Sequence, residues 1–94
     1  MTDKQTFKEE VQSYYGGPEV TGRREPRRRG QLTQEFLAWE IYTDPATLSR
    51  KLSGVQRLTG KDVRDIGSAL IYLGRIKRRK QLQRLFDLGG YTPT

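Results

Sequence analysis

The side chains of this sequence that could do chemistry are carboxylates, lysines, arginines and tyrosines, because its 94 residues include neither histidine nor cysteine. The usual general base, the commonest metal ligand, thiol nucleophiles and disulfides are thereby excluded. Asp62 and Asp65 are spaced to share one helix face, as a pair of acid-base carboxylates would be, but acidic residues at a helix start are better explained by the macrodipole. Residues 54–62, GVQRLTGKD, hint at a phosphate-cradling loop. Five residues separate the glycines where that loop has four, and Asp62 follows the lysine where a serine or threonine belongs. No catalytic residue, metal site or cofactor is expected. What remains is Thr47, Ser49, Arg50 and Lys51, hydroxyls and cations that donate hydrogen bonds without making or breaking covalent ones.

Those four residues lie in Leu32 to Gly54, LTQEFLAWEIYTDPATLSRKLSG, which holds two short apolar-periodic segments around a turn signal. A helix beginning at Thr33 carries Phe36, Leu37 and Ile41 as its stripe, with Ala38 or Trp39 beside it. Phe36 and Trp39 are expected in the core because they share the stripe with Leu37. Tyr42-Thr43-Asp44 interrupts this helix, and Asp44-Pro45 supplies an N-cap and a first helical residue for another, from Pro45 to about Leu52, stopped by Gly54. Leu37 and Ile41 can meet Leu48 and Leu52, which leaves Pro45, Ala46, Thr47, Ser49, Arg50 and Lys51 outward. Two helices joined by three or four residues cross steeply. The first can lie over a phosphate backbone while the second enters a major groove about 12 Å wide.

The flanking elements also read as helices. Thr6 and Glu9 form a capping box for a helix that places Phe7, Val11 and Tyr14 or Tyr15 on one face and ends at Gly16-Gly17-Pro18. Thr59 and Asp62 cap a helix bearing Val63, Ile66, Leu70 and Leu73. The last segment turns Ile76, Leu82, Leu85 and Phe86 inward and ends at Gly89-Gly90. No β pattern rises to an element. The expected fold is all-α, a bundle of about five helices in one domain: an N-terminal helix in 1–20, a basic loop in 21–31, a helix-turn-helix core in 32–73, and a C-terminal helix and tail in 74–94.

Charge sets the class of partner. The chain carries a net +7 and a pI near 10.1, which favours a polyanion, nucleic acid before an acidic membrane surface. Residues 21–30 hold about +4 and residues 61–94 about +5, around a neutral body at 31–60. Two readings fit the loop with Arg23, Arg24, Arg27, Arg28 and Arg29: a solvated loop, or an arm that neutralises phosphates or reaches into a narrow minor groove. Residues 75–80, RIKRRK, fit equally a solvated helix start and a second phosphate patch. No signal core or run of about 20 apolar residues occurs, so no membrane partner and a cytoplasmic location are expected.

Leu32-Thr33-Gln34-Glu35-Phe36-Leu37-Ala38 resembles the L-[ST]-Q-x-x-L-A opening of the second helix of the Xre/Cro-type, lambda-repressor-like helix-turn-helix family. Thr47-Leu48-Ser49-Arg50 followed by Gly54 is similar to that family's recognition helix and stop, at the same spacing. The likeness covers about residues 32–73, with a weaker one in the tail QLQRLFDLGGYTP. It implies a double-stranded DNA-binding protein, a bacterial or phage transcriptional regulator, with Arg50, Thr47, Ala46 and Pro45 at base-reading positions. Thr33, Gln34, Ser49, Lys51, Arg57 and Lys61 would contact or orient the backbone. Several positions depart from the pattern. Tyr42 replaces a turn glycine, Pro45 and Ala46 donate no side-chain hydrogen bond, Lys51 stands where an apolar anchor is usual, and the arginine loop reads as an insertion. The rival reading is a protein-protein adaptor, which Pro45 and Ala46 favour. A homodimer is suggested weakly by the apolar side chains of the last helix, and single-strand or RNA binding would need exposed aromatics.

Overall fold

Helix starts in this chain are fixed by local chemistry. Thr6, Thr33, Asp44 and Thr59 each adopt an extended backbone and accept the N–H of the residue three places on, and Thr6 and Thr59 complete capping boxes with Glu9 and Asp62. The computed structural model describes residues 6–23 and 27–92. Within them run α1 (Phe7–Gln12), β1 (Gly16–Thr21), β2 (Arg29–Leu32), α2 (Gln34–Glu40), α3 (Pro45–Ser53), α4 (Gly60–Tyr72) and α5 (Arg79–Gly89).

The expectation of an all-α fold is overturned by β1 and β2, which pair antiparallel as a two-stranded sheet between α1 and α2. The fold is a mixed one of five helices and a hairpin. Gly16 pairs with Leu32, and Val20 and Thr21 pair with Gly30 and Arg29, with an irregularity between the two sets. Gly22 extends the ladder by donating to the Arg28 carbonyl at 2.8 Å. Val20 and Leu32 are the buried members of the hairpin, too few to show an alternating pattern in the sequence. A distant residue supplies the rest: the Arg75 guanidinium donates to the carbonyls of Tyr14, Gly16 and Pro18 at 3.3, 2.7 and 2.7 Å. Arg75 therefore leaves the basic cluster of 75–80 to fasten the first strand.

One core joins the layers. Phe7 and Val11 of α1, Leu37 of α2, Leu48 and Leu52 of α3, Val63, Ile66 and Leu70 of α4 and Leu85 of α5 are buried together, with Leu82, Phe86 and Leu88 packed against them. The apolar residues of α5, read above as a hint of dimerisation, thus serve this core. At Gly89 a Cβ would lie 2.7 Å from Val63 Cγ2 and 3.0 Å from Phe7 Cε1, so hydrogen at this position is what lets α5 approach α4 and α1 closely.

The ends of α2 and α3 differ in one instructive way. Both close with the Schellman pattern, in which the residue after the cap enters the left-handed region and two successive N–H groups reach back to orphan carbonyls. After α3 that residue is Gly54, at φ +82°. After α2 it is Tyr42, at φ +64°, with Tyr42 N–H and Thr43 N–H donating to Trp39 and Ala38 carbonyls at 3.3 and 3.0 Å. A Cβ in that region costs about 1–2 kcal/mol, so the turn is closed under strain. Tyr42→Gly is accordingly expected to be more stable than Tyr42→Ala by about 1 kcal/mol in urea unfolding, since both lose the ring and only glycine loses the strain. Equal stabilities would remove strain from the account.

Candidate nucleic-acid interface

Helix α3 presents one stripe to solvent and another to the core. Leu48 and Leu52 are buried, whereas Ala46, Ser49, Arg50 and Ser53 are exposed, and Pro45, Thr47 and Lys51 lie between. The exposed set follows the i, i+3, i+4, i+7 spacing of one helix face. Arg50 is braced upright on it. Its Nη2 donates to Thr47 Oγ1 at 3.2 Å and its Nε to Gln56 Oε1 at 3.4 Å, leaving further guanidinium N–H groups for an outside acceptor. Gln56, in the loop after α3, was not singled out in the sequence; its spacing from Arg50 is set by the turn at Gly54 rather than by helix periodicity.

The start of α3 is built around Asp44. Its carboxylate accepts the Thr47 N–H at 2.8 Å and the Thr47 hydroxyl at 2.7 Å. Those two bonds, led by the backbone one and joined by the nearby Arg50 charge, hold the Asp44 carboxyl below the ordinary carboxylate range. The Thr47 hydroxyl thereby donates to Asp44 while it accepts from Arg50, so its one proton is engaged within the chain. Pro45 and Ala46 offer only carbon at the helix tip, suited to a thymine methyl.

The supporting residues divide into three groups. Thr33 is exposed and caps α2 by accepting the Phe36 N–H at 3.1 Å; its hydroxyl proton remains available to a phosphate. Gln34 is half-buried and accepts the Tyr15 hydroxyl at 3.3 Å, which ties the first turn of α2 to the segment after α1. Burial pushes the Tyr15 phenol far above its usual range, which keeps that donor protonated. Arg57 and Lys61 are exposed beside α3. Lys61 also pairs with Asp65 at 2.8 Å, an i,i+4 surface bridge of the kind that contributes about 0.3–0.5 kcal/mol and yields readily to a phosphate.

Lys51 departs from the sequence reading. Only 20% of its side chain is exposed, and its ammonium lies 2.9 Å from Asp62 Oδ1. It pins α3 to the start of α4. Burial pushes the Asp62 carboxyl up, but the Thr59 N–H, the Lys51 ammonium and the Thr59 hydroxyl together outweigh it and hold the group below the ordinary range of an aspartate. A carboxyl whose folded pKa is depressed stabilises the fold above its unfolded pKa, and that stability is lost as pH falls through the folded value. The melting temperature of wild type should therefore exceed that of Asp62→Asn near pH 7, and the gap should close as pH falls below the ordinary aspartate value of about 3.9 and through the depressed folded one. A gap independent of pH would show that the pair contributes packing alone.

Arg23 and Arg28 are held against the body of the protein. Arg23 donates its N–H to Glu40 Oε1 at 3.1 Å and lays its guanidinium over the Tyr72 ring, 5.2 Å from the centroid. The Arg28 guanidinium lies 5.7 Å from the Trp39 centroid. These stacks fix the hairpin on the flank of α2 and α4, with Arg27 and Arg29 exposed; Arg24 lies outside the described residues. Trp39 is 43% exposed, which corrects its expected place in the core, whereas Phe36 is buried as expected. The inner place falls to Glu40, 1% exposed, whose Oε2 has no hydrogen-bond partner among the described residues. Arg23 and Lys61 line a common recess with Glu40 and Tyr42, so Arg23 borders the start of α4.

Among the described residues no group of His, Cys, Asp or Glu side chains could hold a metal ion, and no helix is long and apolar enough to cross a membrane. The arrangement offers hydrogen-bond donors and cations on an exposed face. Comparison with known proteins finds no matching family model, no matching curated protein and no matching solved structure.

Proposed function

We propose that this protein binds double-stranded DNA by placing α3 in the major groove, with α2 seated on the backbone, as a transcriptional regulator of a bacterium or phage. The observation that carries the reading is Arg50: an exposed guanidinium, braced by Thr47 and Gln56, on the face of α3 opposite buried Leu48 and Leu52. Arginine paired with guanine is the commonest specific contact in that groove. Thr33, Ser49, Arg57 and Lys61 sit where phosphates would flank such a helix, and Arg27 and Arg29 extend the positive surface along the hairpin. Pro45 and Ala46 leave direct readout thin, so the sequence-dependent shape of the duplex carries part of the selectivity. The protein acts without chemistry, in the cytoplasm and on the nucleoid when bound, and a palindromic site would engage two copies.

Titration of genomic duplex fragments at two salt concentrations tests the proposal. Selective retention of some fragments is expected, with a log-log salt slope of about −3.6 or steeper if four or more phosphates are neutralised. Weak retention of all fragments alike would favour the adaptor reading, which draws support from the absence of side-chain donors at Pro45 and Ala46.

A further inference from the structure

Another surface lies toward the far end of α4. Ile71 is 47% exposed there, and with Ile76 and Leu82 it forms the floor of a groove of about 220 Å³ whose rim is Lys77, Arg78 and Arg79. A helix rises about 1.5 Å per residue, so Ile71 stands about 15 Å along α4 from Lys61. The groove shares no residue with the exposed face of α3.

Its electrostatics call for an anionic partner. Arg78 is the N-cap of α5, and Arg79 and Lys80 begin its first turn, with no acidic side chain in that turn. Cations are thus gathered where the helix dipole is already positive. Among the described residues the ion pairs join Lys51 to Asp62, Lys61 to Asp65 and Arg84 to Glu10, and none of them neutralises Lys77, Arg78, Arg79 or Lys80. The Gln81 side chain answers the N–H groups of Lys77 and Arg78 at 2.8 and 3.0 Å, which shapes the backbone of the rim without supplying a charge.

We propose that this groove docks an acidic segment of a partner protein, with aspartate or glutamate side chains against Lys77, Arg78 and Arg79 and one bulky apolar side chain on Ile71, Ile76 and Leu82. A duplex would match the rim but keeps its bases stacked, with none to lay on the floor. A second copy placed symmetrically would set the same cations against each other. An acidic peptide with an apolar anchor satisfies both halves of the groove.

Fluorescence anisotropy with three labelled probes tests this: a short peptide of acidic residues around a leucine and a phenylalanine, the same peptide with serine at both apolar places, and a single-stranded oligonucleotide of equal charge. The first peptide should bind about tenfold or more tighter than the second. Ile71→Ser, and separately Lys77→Glu with Arg79→Glu, should each weaken it about tenfold, while Arg50→Ala leaves it unchanged. All three altered groove positions are exposed, and the circular dichroism and melting of each variant check that the fold survives. No binding of the first peptide, equal binding of the serine peptide, tighter binding of the oligonucleotide through these residues, or indifference to Ile71→Ser would each overturn the proposal. So would binding to anionic phospholipid vesicles that depends on Ile71 in place of binding to the peptide.

Discussion

Replacing Arg50 with alanine is expected to weaken binding to preferred duplexes by about 1–3 kcal/mol, roughly fivefold to 150-fold, and to leave binding to random duplex nearly unchanged. The asymmetry follows from what the residue does. A guanidinium that pairs with a base edge discriminates among sequences, whereas one that rests on phosphate contributes to all of them and to the salt slope. Because Arg50 is exposed and its partners are the surface groups Thr47 and Gln56, its removal should change folding stability by less than about 0.5 kcal/mol. Competition titrations against random duplex, with a melting curve as control, separate the two effects. Equal losses on preferred and random DNA would reassign Arg50 to the backbone.

Leu48→Ala should have the opposite signature. Leu48 is buried in the shared core with Leu37, Ile66 and Leu70, so truncation removes its burial and leaves a cavity, at about 2–5 kcal/mol in urea unfolding. The loss bears on function because Leu48 and Leu52 hold α3 against α2, and that contact sets the height at which Arg50 projects. Duplex selectivity should fall with stability. Leu48→Met conserves volume and should cost less than about 1.5 kcal/mol while selectivity is retained. If Leu48→Ala folded as stably as wild type, the core would not be what positions α3.

These two residues show how far the sequence could be read. The caps at Thr6, Thr33, Asp44 and Thr59 lie three residues from the N–H groups they serve, so the starts of four helices were legible from local chemistry alone. The inward placement of Leu48 and Leu52 and the outward placement of Arg50 follow from helix periodicity and appear in the structure. The hairpin was not legible, because its determinants lie elsewhere in the chain. Arg75 holds the first strand by three carbonyls about 60 residues away, and Glu40 accepts from the backbone of Arg23. The strands themselves bury little more than Val20 and Leu32.

Trp39 and Lys51 were misplaced for the same reason. The apolar stripe of α2 suggested that Trp39 turns inward. The docked hairpin instead gives the inner position to Glu40 and leaves the indole as a shelf for Arg28. Lys51, expected to point outward, instead meets Asp62, eleven residues on. Tyr42 was legible as a misfit, and the structure supplies its meaning, a left-handed turn residue that carries a side chain.

If α3 lies in the major groove with Arg50 against base edges, guanine N7 reports on that contact directly. A duplex enriched from a random pool by the wild-type protein would be probed with a methylating reagent in the free state, with wild type bound, and with Arg50→Ala bound. The account predicts that wild type shields at least one guanine N7 and that Arg50→Ala, at a concentration giving equal occupancy, exposes it again. A bound duplex whose N7 reactivity is unchanged by wild type would contradict the account.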